Sequence, residues 1–384
     1  MAPSPERRRW LAAGAALLAG GRNAALAAMA TDAGAEGADE DRISAGRTLR
    51  FPRDHGAHPG ARIEWWYATG WLQPAGSGAA PIGWQITFFR SRTGLGSGGE
   101  SGRFVPRQLL FAHAAISDIG AQRHRHAQRL SRWSGDEALP EAHAQRADTA
   151  LVIGPWSLRR DAGSGRYTAR LPVPEAGFGL LLTLTPTQPL LLQGQAGFSR
   201  KGPLPAQASH YYSQPQLAVS AQLTRGSQVQ TLPGRGWLDH EWSDELMPPE
   251  AVGWDWIGIN LDDGGALTAF VLRSRDGQVL WAGGSHRPAG AAVRSFAPED
   301  VAFSPLREWT SPGSGARYPV RWRIRTPLGE HQLEALLDDQ ELDSRASSGA
   351  IYWEGLSELR DASGRRIGQG YLEMTGRATP LKLG

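Results

Sequence analysis

Cysteine is absent from the 384 residues. Its absence excludes disulfides, cysteine-rich metal sites and a lipid-anchoring cysteine, so stability has to come from buried apolar surface. Methionine is scarce, at four residues. No apolar run reaches the ~20 residues a membrane-spanning helix requires; the longest candidate, LAAGAALLAG after Trp10, is about half that. Excess charge is lacking too. Arg7, Arg8, Arg9 and Arg22 against Glu6 account for the whole formal net charge of +3. The remainder is balanced and shows no basic patch of the kind that binds nucleic acid. Glycine-rich phosphate loops and a G-x-S-x-G nucleophile elbow are missing, so cofactor and serine-hydrolase chemistry have no support.

Three arginines, an apolar run and small-residue sites such as Ala28-Met-Ala30 give residues 1–30 the order of a cleavable export signal, and RRRWL resembles a twin-arginine signal. A periplasmic or secreted protein is expected, one that does not span the membrane after the signal is removed. Residues 31–54 read as a polar linker.

The chain is rich in glycine (48), proline (26) and tryptophan (15), the composition of short strands joined by tight turns. In IEWWYATGW, alternation places Ile63, Trp65, Tyr67, Thr69 and Trp71 on one face and Glu64, Trp66, Ala68 and Gly70 on the other, a strand covered on both sides. Segments 83–91, 108–117, 151–160, 167–173, 179–186 and 209–225 continue the pattern. WDWIGINL, the turn Asp262–Gly265 and ALTAFVLRS read as a hairpin. Segment 121–150 fits a short helix or a long loop. No repeat of solenoid or propeller length is present. The expected fold is all-β, two antiparallel barrels, with a first domain over 55–236 and a second over 237–384.

Chemistry concentrates in Trp237-Leu-Asp-His-Glu-Trp-Ser-Asp-Glu245. A zincin helix would need histidine where Asp244 stands, and metal-ligand spacing is absent. As a strand, the segment sends Leu238, His240 and Trp242 to one face and Trp237, Asp239, Glu241 and Ser243 to the other. His240 is thus either an acid/base oriented by a carboxylate, Asp239 or Asp255, or a core histidine bonded to its surroundings. Asp255 between Trp254 and Trp256, Glu64 before Trp65 and Trp66, and Glu354 after Trp353 are carboxyls beside indoles, where lost solvation raises a pKa. Each is also a candidate partner for arginine. An aromatic wall suits protonation of an alkene, because ring faces stabilise the developing cation. His113, His210 and Tyr212 are further candidates for lining the ligand cavity.

The ordered blocks IEWWYATGWL, FAHAAISD, QAGFSRKG, SHYYSQPQL, GWLDHEWSDE, GWDWIGINLDDG, IYWEGLSEL and GYLEMTG resemble the carotenoid hydratase and AttH-type family of secreted lipocalin-like proteins, over residues 55–377. The resemblance implies two tandem lipocalin-like β-barrels with an apolar-ligand pocket near their junction. In the hydratase branch water is added to an isoprenoid double bond without a cofactor, and a His-x-Trp pair is important; His240 and Trp242 match it. That branch also carries a Tyr-x-Asp, where this chain has Phe270-Val-Leu272. The pattern is closer to the AttH-type branch, described as secreted hydrolases or as proteins associated with ABC exporters. The resemblance therefore implies either a cofactor-free hydratase, lyase or hydrolase of a hydrophobic molecule, or a carrier handing such a molecule to an ABC transporter.

Overall fold

A computed structural model describes residues 41–95 and 106–381. The export signal expected at residues 1–30 lies outside the described residues. Residues Ile43–Gly384 form one compact unit. Among the described residues its regular structure is two antiparallel sheets plus three single 3-10 turns. The architecture is two tandem lipocalin-like antiparallel β-barrels.

The first sheet has 13 strands. Ile63–Leu72, Ile82–Arg92, Gln108–Asp118 and Arg123–Trp133 form a meander, and the long strand Gln228–Glu245 pairs with the other edge of Ile63–Leu72. Ala208–Arg225 comes next, and then Phe178–Thr185 and the shorter strands back to Ala142–Ala144. The second sheet has ten strands, with Ala251–Leu261 between Ala266–Ser274 and Arg366–Met374, and Ala350–Arg360 next to the latter.

Each sheet closes over its own apolar core. Trp66, Trp84, Trp156, Leu182 and Leu238 are among the first, Ile257, Val320, Trp322 and Trp353 among the second. A third cluster, including Tyr67, Trp237, Trp256, Phe270 and Tyr371, fills the space where the two sheets meet. The two-faced reading of IEWWYATGW is explained by this: Trp66 and Ala68 point into the first barrel, while Tyr67 joins the interlayer cluster. Chain crossings are tight there. A Cβ at Gly370 would lie 1.9 Å from the Gly258 carbonyl oxygen, so this ladder has room only for glycine.

Three expectations require correction. Segment 121–150 contains the 11-residue strand Arg123–Trp133, in full register with Gln108–Asp118; its arginines hid a strand whose partner supplies the apolar face. The boundary at 236/237 falls inside the strand Gln228–Glu245, and the change of sheet comes between Glu245 and Ala251. The linker reading up to residue 54 fails at its end, where Asp54 is buried and ion-paired to Arg47 and His58.

Candidate functional site

Strand alternation builds two polar sites on opposite faces of the same strands, and Glu64 and Arg90 touch both. His240 points into the first barrel, where it is fully buried between Trp66, stacked at 4.5 Å, and Trp242, with ring centres 5.0 Å apart. Its carboxylate partner is Glu64, at 2.9 Å from Nε2, and its Nδ1 meets the Tyr212 hydroxyl at 3.1 Å. Glu64 also takes His58 Nδ1 at 2.7 Å and the Arg90 guanidinium at 2.7 Å. His58 stacks on Trp242 at 3.7 Å and reaches Asp54 at 3.0 Å.

Burial alone would raise the Glu64 carboxyl, but Arg90, His58 and His240 hold it well below the usual carboxylate range. Burial pushes His240 down to about 4 against the pull of Glu64. His58, Glu64 and His240 bring three donor atoms within 4.8 Å of one another, a spacing a cation could use. Both ring nitrogens of each histidine are already engaged, and Arg90 holds the second Glu64 oxygen. Carboxylate, imidazole and guanidinium satisfy one another, as a closed buried network must.

Asp239 and Asp255 are not the partners of His240. Asp239 leaves the opposite face of its strand and accepts hydrogen bonds from Trp237 Nε1 (2.7 Å), Ser213 Oγ (2.5 Å) and Tyr211 Oη (2.8 Å). Asp255 is ion-paired to Arg273 at 2.7 Å and Arg377 at 2.8 Å in the second barrel. The arginine-paired alternative applies to Asp255, and the carboxylate that holds His240 is Glu64.

The second site is a cavity of about 290 Å³ between the sheets. Apolar walls come from Trp65, Phe89, Phe111, Trp254, Trp256 and Phe270, with Leu272 and Met247 beside them. Register explains the convergence: Glu354, Glu373, Trp256 and Phe270 form one row across four adjacent strands, all on the face turned to the first sheet. Opposite them stand Tyr67 and its cross-strand neighbour Asp239. Lys201 enters from a loop, ion-paired to Glu241 at 3.0 Å and 4.3 Å over the Phe270 ring.

Glu354 and Glu373 are adjacent, the first fully buried and the second partly so, and neither has an ion pair among the described residues. Burial pushes Glu373 up to about 7, opposed by a 3.0 Å hydrogen bond from Trp254 Nε1 and reinforced by the Asp239, Glu241 and Asp255 charges. Burial and then the Glu373 charge raise Glu354 well above the carboxylate range, against the Tyr67 and Tyr352 hydroxyls. Asp239 is likewise raised to about 7, by burial overcoming its three donors. Three carboxyls able to hold a proton at neutrality thus face an aromatic cavity. His113 lines the same space, bonded to Tyr352 Oη at 2.8 Å and Ser347 Oγ at 2.9 Å, and burial keeps it neutral, with a pKa of about 3.

Of the residues singled out in the sequence, Asp239, Trp254, Trp256, His113 and Glu64 touch the cavity. Trp66, Trp242, His210, Tyr212 and His240 belong to the first barrel's interior. Sequence reasoning missed Glu373 and Lys201; Glu373 sits in the block GYLEMTG beside Tyr371, a carboxyl-aromatic pairing that could have flagged it.

The AttH-like family model matches residues 42–377. A crystal structure of a protein from Nitrosomonas europaea described as an AttH is 44% identical, with TM-score 0.79 over 88% of this chain and 99% of that one. Kievitone hydratase from Nectria haematococca superposes with TM-score 0.63 at 12% identity, over 86% of this chain and 94% of its own, a likeness of fold. Comparison with curated proteins finds no match.

Proposed function

The chain belongs to the AttH-like family, and from that premise we propose a periplasmic enzyme that adds water to, or removes it from, a hydrophobic small molecule of isoprenoid type, using its own carboxyls. The observation that carries this reading is the uncompensated pair Glu354 and Glu373 in the aromatic cavity. Keeping two carboxyls buried without a cation is costly, and such cost concentrates where a proton is delivered. In the hydration direction Glu373 gives its proton to one alkene carbon. The cation developing on the other carbon faces the indoles of Trp254 and Trp256, where ring faces stabilise it. Water adds to that carbon, and the proton it sheds returns to the Glu354 and Glu373 pair, so the carboxyls end as they began. Dehydration runs the same steps in reverse.

A specific feature favours a second reading, an ABC-exporter-associated carrier: Phe270 and Leu272, which stand where the hydratase branch has Tyr-x-Asp, both line the cavity with apolar side chains. Glu373 lies in the same cross-strand row as Phe270, so an acid two strands away supplies what that position lacks. One experiment separates the readings. Wild type and Glu373→Gln are incubated with a total lipid extract of the host in oxygen-18 water, and products are read by mass spectrometry. The enzyme reading predicts, with wild type alone, a species that has gained labelled water or one that has lost water. A lipid retained by both proteins without label would make the protein a carrier.

A further inference from the structure

Charge in the junction cavity does not balance. Among the described residues five carboxyls line it, those of Glu64, Asp239, Glu241, Glu354 and Glu373, against the two cations Arg90 and Lys201. Both cations are committed elsewhere. Arg90 donates to Glu64 Oε2 at 2.7 Å, Gln108 Oε1 at 2.8 Å and the Ala61 carbonyl at 2.9 Å. Lys201 is ion-paired to Glu241 and lies over Phe270. In the cross-strand row Phe270 is two strands from Glu373 and three from Glu354, which at ~4.8 Å per strand puts its backbone about 10 Å from that of the nearer glutamate. The pair is thus left without a positive partner.

Hydrogen bonds do not make up the difference evenly. Asp239 has three neutral donors, Glu373 has Trp254 Nε1, and Glu354, only 2% exposed, has no hydrogen-bond partner for its Oε1. Aromatic rings stand directly beside the pair. Trp256 is the next residue in the row after Glu373, Trp254 bonds Glu373, and Tyr67 meets Trp256 edge to face at 5.5 Å. Carboxyls lacking a cation, set among rings whose faces attract one, are surroundings complementary to an ammonium ion on an apolar body.

We propose that the cavity binds apolar amines, seated as the ammonium ion between Glu354 and Glu373 and the Trp254 and Trp256 rings, an assignment that rests on the junction cavity being the ligand site and holds for enzyme and carrier alike. In the reaction proposed above, Glu373 passes its proton to an alkene and is left facing a cation. An amine that takes the same proton leaves the same ion pair, a carboxylate beside a cation among rings, and stops there. The proton is accounted for on either route: an amine arriving neutral receives it from Glu373, and one arriving as ammonium displaces it to solvent.

Isothermal titration calorimetry of the purified protein at pH 6 tests this with three probes of one chain length: N,N-dimethyloctylamine, which is cationic, N,N-dimethyloctanamide, which is uncharged and of similar shape, and octanoate, which is anionic. The amine should bind at least tenfold more tightly than the amide, and octanoate more weakly than either. Titration in two buffers of different ionisation heat should show most of a proton released per amine bound and none with the amide, since Glu373 is held at about 7 and ionises to pair. Glu354→Gln/Glu373→Gln should erase the difference between amine and amide, whereas Glu299→Gln/Glu330→Gln, the same change at exposed sites, should preserve it. Circular dichroism of each variant keeps misfolding from counting as loss. Equal affinity of wild type for amine and amide, tighter binding of octanoate, or an amine preference that survives loss of both carboxyls would each overturn the proposal. Its failure is separable from that of the enzyme reading: no amine preference alongside wild-type-dependent oxygen-18 incorporation removes the amine site alone. Amine preference without proton release keeps the amine site and removes the proton donor from the reaction.

Discussion

Replacing His240 with alanine distinguishes a histidine that performs chemistry from one that holds the barrel together. The imidazole bonds a buried, charged Glu64 at 2.9 Å and the Tyr212 hydroxyl at 3.1 Å. A hydrogen bond to a charged group contributes about 1.5–3 kcal/mol, and a stacked aromatic contact such as that with Trp66 about 0.5–1.5 kcal/mol more. Deletion should therefore cost roughly 2–4 kcal/mol, a large share of a typical domain's stability. Arg90 and His58 remain on Glu64, so its charge keeps partners and the loss stays below that of an abandoned buried ion. Urea denaturation gives the change in midpoint, and an apolar dye in the junction cavity reports whether folded protein still binds ligand. The expected outcome is a marked fall in midpoint with the dye affinity of the folded fraction unchanged. Unaltered stability with loss of turnover would refute the structural role and return His240 to the catalytic group.

The same contacts lead to other expectations. Glu373 is held at about 7 in the folded chain against an ordinary 4.5, so the stability its protonated form gives is complete below about pH 4.5 and lost as pH rises through 7. Relative to Glu373→Gln, wild type should lose roughly 3 kcal/mol over that window, read as diverging urea midpoints between pH 5 and 8. Turnover that needs the Glu373 proton should fall as pH passes 7, and a flat profile would exclude that donor. Asp255→Ala strands Arg273 and Arg377 and should cost about 3–5 kcal/mol by denaturation. Gly370→Ala forces a Cβ against the Gly258 carbonyl and should yield no cooperative unfolding transition.

The strands were legible because their signal is local: alternation in IEWWYATGW and the hairpin around Asp262–Gly265 depend on neighbours within a few residues. The face assignment of the segment 237–243 was legible for the same reason, and it separates Asp239 from His240 correctly. What stayed hidden is set by pairing across the chain. Glu64 and His240 are 176 positions apart, and their meeting depends on the register of Ile63–Leu72 with Gln228–Glu245, which no local pattern encodes. Asp255 looked like a proton donor between indoles because Arg377, its partner 122 positions away, is equally invisible locally. Glu373 was overlooked because its cost lies in what surrounds it, and Glu354 becomes its neighbour only once the strands pair.

Protonated carboxyls in the junction cavity at neutral pH are what the proposed chemistry most depends on. Carbon-13 labelling of glutamate side chains, with Glu373→Gln and Glu354→Gln to assign the signals, follows each carboxyl through a pH titration by NMR. Glu373 should titrate near 7, as burial among aromatic walls dictates, and Glu354 well above the ordinary carboxylate range. Titration of both near 4.5 would mean ionised carboxylates in the cavity, with no proton to give.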